Sequence, residues 1–281
     1  MLLFEFTEEA LHLVSDYVQN VQRKIGDIAF DENANKTARE TFLSDIEDDI
    51  KFLAIGLSME RKVNVVDAED MKRALRKLMF DLFRSQKIFS LHHKQVFDDM
   101  NVLGEGLEPL EKPHVLDVGC GWGRASRSLK KHLKGKAEVV GVDLDVLALK
   151  YGKSLDNEAF FLRSDMSHLP FKNNVFDVVL SNKALHEIEN FNDQNRALYE
   201  IARILKPRGL TYIFEPFARS QIARLIQKLF RKLFPRMEFY GQPEEFEDNL
   251  SRVHMRVIKK SCIIWPAFSL RTFCSYITEN A

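Results

Sequence analysis

The chain has little cysteine, no net charge and no long apolar run. Its three cysteines, Cys120, Cys262 and Cys274, are spread over 281 residues without a CxxC pair. An odd and sparse set argues against a disulfide framework or a zinc site and fits a reducing compartment. No window reaches the ~20 consecutive apolar residues that a membrane span needs. The start, Met1-Leu-Leu-Phe-Glu-Phe-Thr-Glu-Glu, lacks the basic beginning and apolar centre of a secretory leader. The expected location is therefore the cytoplasm. Basic and acidic residues balance at 41 each, but not locally. Residues 1–110 hold 21 acidic residues against 14 Lys and Arg, and residues 111–281 hold 20 against 27. Halves of opposite sign point to two units, and an acidic front is the wrong sign for neutralising phosphates, so no DNA partner is expected. What is present is enough hydrophobic residue, 45%, to fill an ordinary globular core.

Apolar spacing divides the chain in the same place. Thr7-Glu-Glu reads as a cap with acids in a first helical turn, and Leu11, Val14, Val18 and Val21 follow at helical spacing, so a helix is expected from Thr7 to Lys24. A longer one from Thr37 to Arg61 carries Phe42, Ile46, Ile50, Leu53, Ala54 and Leu57 on one face. After a short extended connector, 63–66, Asp67-Ala-Glu-Asp opens a third helix, and another covers Leu91 to Met100. Gly104, Gly106, Pro109 and Pro113 mark a linker. Residues 1–105 therefore read as an all-helical domain and 106–281 as a second domain. In the latter, Val- and Ile-rich runs alternate with helical stretches, placing strands at 114–118, 138–142, 159–162, 175–180 and 208–214. Such alternation indicates an α/β fold with a mostly parallel, Rossmann-like sheet. Runs at 254–264 and 267–277, separated by little more than Trp265-Pro266, would add an antiparallel hairpin at the sheet's end.

The chemistry concentrates at the ends of these strands. Val115-Leu-Asp-Val-Gly-Cys-Gly-Trp-Gly123 runs from a strand into Gly119, Gly121 and Gly123 and then a helix opening near Arg124. Glycine there lets the chain turn with φ above zero and lets a ligand approach the backbone, on the side of an open α/β sheet where ligands lie. Taken alone, the loop also fits a tight strand-to-helix turn. It fits a dinucleotide site less well, because the third glycine comes one residue early for GxGxxG and Trp122 would crowd a pyrophosphate. Four further features follow in order. Val139-Val-Gly-Val-Asp143 ends a strand with a carboxylate suited to ribose hydroxyls, with Asp145 as a helix cap. Arg163-Ser-Asp165-Met166 ends the next with an acid suited to an adenine amino group. Asn174-Val-Phe-Asp177-Val-Val-Leu reaches Ser181-Asn182, and Ala202-Arg-Ile-Leu-Lys-Pro-Arg-Gly209 leads to a strand ending at Glu215.

This series, VLDVGCGWG, VVGVDLD, RSDMSHLPF, NNVFDVVLSNKALHEI and RILKPRGLTYIFEP, resembles the class I S-adenosylmethionine-dependent methyltransferases, in the branch with ubiquinone, menaquinone and other small-molecule enzymes. The resemblance covers about 112–216. It implies S-adenosylmethionine as cofactor, with Gly119, Gly121 and Gly123 along its methionine part and Asp117 reaching its amino group. Asp143 would bind the ribose and Leu144 would pack on the adenine, whose edge would meet Asp165 and Met166. Asn182 and Lys183 would border the sulfonium and the acceptor, and Asp177 would be structural. The acceptor implied is a small, hydrophobic molecule; methylation of a protein or RNA, or cofactor binding without turnover, are the alternatives. A base is needed only for a hydroxyl or a protonated nitrogen. His186 and Glu187 are the catalytic candidates, with Glu215 a weaker one; the bland alternative for His186 is a histidine on a helix face.

Two segments stand outside this series. Between 217 and 240, Ile222, Leu225, Ile226, Leu229, Phe230, Leu233 and Phe234 form a helical stripe with basic residues on the other faces. That suits a sheet-covering helix, or peripheral contact of 219–236 with an anionic membrane. The helical front resembles the histone fold in Arg61-Lys62 followed by Ala68-Glu-Asp70. Such a resemblance implies pairing with a second copy; the alternative is a cap over the cofactor pocket, for which 85–105 is best placed.

Overall fold

The computed structural model describes residues 5–25, 36–61, 65–83, 98–188, 191–218, 220–223, 241–264 and 271–281. They fall into two units, Met1–Phe97 and Asp98–Ala281.

In the first unit, helices α1 (Glu8–Ile25), α2 (Lys36–Glu60) and α3 (Ala68–Phe83) appear where the helical spacing places them. Thr7 caps α1 through its Oγ1, which accepts from Ala10 N at 3.2 Å, and Asp67 caps α3 by accepting from Glu69 N and Asp70 N. Val14, Ile50, Ala54, Ile55 and Met71 are buried between the helices. The sequence pattern did not announce one feature. The connector before α3 is a strand, β2 (Val65–Val66), paired in parallel with β1 (Glu5–Phe6). The guanidinium of Arg61 closes the end of α2 against Asp67 and the buried Asp70.

The second unit begins with a helix over 98–107, α4. Strand β3 (His114–Val118) leads to α5 (Arg124–His132), β4 (Glu138–Asp143) to α6 (Val146–Leu155), and β5 (Phe160–Arg163) follows. Then come β6 (Phe176–Asn182), a 3₁₀ turn at Leu185–Glu187, α7 (Phe191–Ile204) and β7 (Leu205–Ala218). Helix α8 (Pro243–Arg252) precedes the hairpin of β8 (Met255–Ile264) and β9 (Arg271–Asn280). The sheet order is β5-β4-β3-β6-β7-β9-β8, parallel through β7 and antiparallel at β9 and β8. A parallel sheet covered on both faces calls for continuous apolar strands rather than alternating ones, as in Val115, Leu116 and Val118, and in Val178, Val179 and Leu180, all buried. One core cluster joins Leu116, Val179 and Ile213 of the sheet to Leu198 and Ile201 of α7 and Phe246 and Leu250 of α8. The chain winds outward in both directions from β3, so the crevice for a ligand opens at the carboxyl ends of β3, β4 and β6.

Four details depart from the sequence expectations. Gly104 and Gly106, read as marking a linker, lie within α4. β7 runs from Leu205 rather than 208, with Pro207, Arg208 (φ 63°) and Gly209 bulging out between residues paired to Phe176 and Val178. β9 lies about four residues later than expected. Cys262 and Cys274 form a disulfide, against the expectation drawn from their odd number; they sit opposite each other in the β8–β9 register with Cα atoms 4.1 Å apart. The odd cysteine is Cys120, a buried thiol. Residues 84–97, 219 and 224–240, which hold most of the expected cap and of the basic stripe, lie outside the described residues. Among the described residues no helix is long and apolar enough to cross a membrane.

Candidate active site

The glycine loop leaves β3 with three left-handed residues, Gly119 (φ 62°), Gly121 (φ 52°) and Gly123 (φ 82°). A Cβ on Gly119 would stand 2.2 Å from Ala184 Cβ and 3.0 Å from Met166 Cε, so only glycine lets the loop pass the end of β6. A Cβ on Gly121 would meet nothing within 4 Å. The two positions thus need glycine for different reasons: one for packing, the other for backbone conformation beside open space. Trp122 is buried, with the guanidinium groups of Arg124 and Arg127 over its ring at 5.0 and 4.6 Å from the centroid, and it meets Tyr151 edge to face.

Two carboxylates fix the loop. Gly123 is the N-cap of α5 and has no side chain to accept the first helical amides. Asp117 does so from the strand, its Oδ2 accepting from Ser126 N at 3.1 Å, the third residue of the helix. It is 1% exposed, and burial pushes its carboxyl up to about 7 against the pull of the Ser126 hydrogen bonds. Asp143, at the end of β4, accepts from Gly121 N at 2.7 Å and from Asp145 N at 2.9 Å. Asp145 in turn caps α6 through Leu147 N and Ala148 N. Leu144 between them is 59% exposed. Asp165 Oδ1 accepts from Ser167 N and Oγ, beside Met166.

On the other side of the loop, β6 ends at Asn182, whose Oδ1 is buried with no hydrogen-bond partner among the described residues. Lys183 (φ 56°) turns the chain, donating its amide to Phe214 O at 2.7 Å. The 3₁₀ turn follows, and the carboxylate of Glu215 in β7, fully buried, holds it. Its Oε1 accepts from Ala184 N at 2.9 Å and Leu185 N at 2.8 Å, and its Oε2 lies 2.7 Å from His186 Nδ1. His186 Nε2 is 3.2 Å from Oε1 of the exposed Glu187. Burial lowers the imidazole pKa, but the hydrogen bond and charge of Glu215, with the charge of Glu187, outweigh burial and an opposing Lys183, so the net shift is upward. His186 is thus anchored rather than carried on a helix face. Asp177 joins the strand ends opposite the site, accepting from His114 N and Lys206 Nζ. The structure therefore gathers the loop, Asp143, Leu144, Met166, Asn182, Lys183 and His186 at one end of the sheet. The sequence reading missed that Ala184 abuts Gly119 and that Glu215 serves the turn and the imidazole.

Comparison with known proteins agrees with this geometry. The methyltransferase-domain family matches residues 116–213. The matched residues, 116–213, lie within the second unit. Residues of this domain are similar to the demethylmenaquinone methyltransferase of Lactiplantibacillus plantarum, 34% identical over 130 residues, which is 43% of this chain and 54% of the relative. They are also similar to the mitochondrial arginine-hydroxylase NDUFAF5 of Mus musculus, 38% identical over 98 residues, which is 35% of this chain and 27% of the relative. The chain thus spans about half or less of these relatives' length. Among solved structures, a SAM-dependent methyltransferase of Methanosarcina mazei shares the fold, with a TM-score of 0.52 and 19% identity over 62% of this chain and 95% of that one.

Proposed function

We propose that the chain transfers a methyl group from S-adenosylmethionine to a small-molecule acceptor. The observation that carries this reading is the space beside Gly121, which a single Cβ would occupy, bounded by Asp143. The residues suit the cofactor. Asp143 would exchange its loop amides for ribose hydroxyls, exposed Leu144 would cover an adenine, and Asp165 with Met166 would meet its edge. Asn182 Oδ1 lacks a partner among the described residues, and Lys183 stands next to it. Asp117 would reach the amino group only from behind the loop, which it also caps. When bound, the cofactor supplies an already activated methyl group. The chain's part is to hold the acceptor in line at near-attack distance and to exclude water, with His186 and Glu187 placed to handle a proton.

The similarity to an enzyme of arginine, an arginine-hydroxylase, favours a second reading, methyl transfer to an arginine side chain of a protein. The full chain, incubated with methyl-labelled S-adenosylmethionine and a hydroquinone or catechol in a cell extract, separates the two. Label in the low-mass fraction supports the proposal, and label in protein supports the second reading. No label, together with no binding of S-adenosylhomocysteine, contradicts both. For the helical unit we propose pairing with a second copy, supported by the exposure of Leu11, Met59 and Val65; a monomer in sedimentation of the full chain contradicts it. Membrane contact through 219–236 and a cytoplasmic location stay as proposals from the sequence.

A further inference from the structure

We propose that Asp99 and Tyr212 form a polar seat beneath α4 for part of the methyl acceptor. The group received there is neutral and both donates and accepts a hydrogen bond, an alcohol hydroxyl or a carboxamide, away from the atom that is methylated. The proposal rests on the methyl-transfer reading and deepens it.

The seat lies on the face of β7 opposite Ile213, whose side joins the core under α7 and α8. Alternation along the strand puts Leu210, Tyr212 and Phe214 on this face. Helix α4 covers it, since a Cβ on Gly106 would stand 2.9 Å from Leu210 Cδ1. Asp99 precedes Gly106 by about two helical turns and so shares the sheet-facing stripe. Such a stripe calls for apolar residues, and Met100 and Leu103 are fully buried accordingly. Asp99 and Tyr212 are buried as completely, and both are polar. The Tyr212 hydroxyl and both oxygens of Asp99 lack a hydrogen-bond partner among the described residues. Lys259 Nζ comes within 2.8 Å of Asp99 Oδ1, as an ion pair outside hydrogen-bond angles. Lys259 and Tyr212 flank Ile277 in one row of the sheet, and the charge of Asp99 acts on the Tyr212 phenol. The three groups therefore surround one place. On the same face Asn182 pairs with Phe214, one pleat further along, and its Oδ1 is also without a partner among the described residues. Its Cα is about 8 Å from that of Tyr212. Buried polar atoms without partners are rare and costly, and here they lead from the residue beside the donor crevice to the underside of α4.

The chemistry of the seat selects its occupant. A carboxylate paired with Lys259 offers lone pairs, and Tyr212 offers a proton. Burial and the charge of Asp99 push the Tyr212 phenol well above its ordinary pKa, so that proton stays in place. A cation would meet Lys259, which already neutralises Asp99, and an anion would meet Asp99 itself. A neutral hydroxyl or carboxamide accepts from Tyr212 and donates to Asp99, which satisfies both. An analogue without that group would leave buried atoms unpaired and be rejected strongly.

The test uses the full chain and the variants Tyr212→Phe and Asp99→Asn, with S-adenosylhomocysteine binding by calorimetry as the control for the cofactor site. With that ligand bound, benzyl alcohol should bind the native chain at least about tenfold more tightly than toluene, and Tyr212→Phe should erase the preference. In a cell extract with methyl-labelled S-adenosylmethionine, both variants should lose low-mass label at least about tenfold at unchanged S-adenosylhomocysteine affinity. The labelled product, read by mass spectrometry, should carry a hydroxyl or carboxamide besides the methylated atom. Tyr212→Phe should hold or raise the urea midpoint, because it removes a buried hydroxyl that the acceptor-free chain leaves unbonded. A lowered midpoint would show a hydroxyl bonded within the chain and overturn the proposal. Equal binding of the two probes, binding of neither, or unchanged labelling in both variants would show a seat filled by water only and overturn it too. A native chain that labels no small molecule would instead overturn the methyl-transfer reading, while the probe pair and the urea midpoint still judge the seat.

Discussion

Gly119 and Gly121 have similar backbone angles and opposite surroundings, so alanine at each should have separable effects. Both sit in the left-handed region, where a Cβ costs about 1–2 kcal/mol, partly offset by about 0.5 kcal/mol from a stiffer unfolded chain. At Gly121 no residue beyond its chain neighbours comes within 4 Å of the new methyl, so Gly121→Ala should lose about 1 kcal/mol of stability. At Gly119 the Cβ would overlap Ala184 Cβ at 2.2 Å. Relieving the overlap requires backbone movement of the kind that costs about 1–3 kcal/mol, giving a total near 2–4 kcal/mol. Binding should reverse the order of interest. Gly121→Ala places its methyl group in the space assigned to the cofactor and should weaken S-adenosylhomocysteine at least about tenfold, or ~1.4 kcal/mol, in a chain that is otherwise folded. Urea unfolding and isothermal calorimetry on the same preparations read both quantities. If Gly121→Ala binds as tightly as the native chain, the space beside Gly121 is not the cofactor's and the reasoning fails. If Gly119→Ala is no less stable than Gly121→Ala, the close approach to Ala184 is not a constraint.

Two other perturbations have defined signs. Asp117 has a raised folded pKa of about 7, so between its unfolded value near 4 and about 7 the folded state binds the extra proton and the cofactor-free protein loses stability as pH rises. Asp117→Asn keeps an oxygen for Ser126 N and should remove that loss, raising the melting temperature at pH 8 relative to the native chain; an equal pH dependence in both would contradict it. The Cys262–Cys274 bridge closes a loop of 12 residues, worth about 3 kcal/mol in the chain-entropy account. A dithiol reductant, or Cys262→Ser with Cys274→Ala, should lower the urea midpoint accordingly, and an unchanged midpoint would show that the edge hairpin unfolds separately from the sheet.

The parts of this site that depend on local chain geometry were legible in the sequence. Strand, glycine turn and helix lie within 115–132, and the acids at 143 and 165 follow directly from strands whose apolar runs announce them. Asp145 as a helix cap was readable for the same reason. The residues that meet across the sheet were not. Glu215 and His186 come together because β6 and β7 pair with Asn182 beside Phe214, a register that no single segment encodes. The same holds for Cys262 and Cys274, where counting cysteines suggested thiols and only the hairpin register makes them neighbours. β7 was read as shorter because Lys206-Pro-Arg-Gly209 is indeed a turn by composition; the strand absorbs it as a bulge. Val65–Val66 was seen as extended, but its partner, Glu5–Phe6, is too short to have a periodicity.

The central claim is that the crevice over Gly121 and Asp143 binds the methyl donor, and calorimetric titration of the native chain and Asp143→Ala with S-adenosylhomocysteine tests it most directly. The account predicts one site in the native chain and, in the variant, a loss of about 10- to 100-fold, as expected for hydrogen bonds to a charged acceptor worth about 1.5–3 kcal/mol. Equal affinity in the two proteins, or no heat of binding in the native chain, would contradict it.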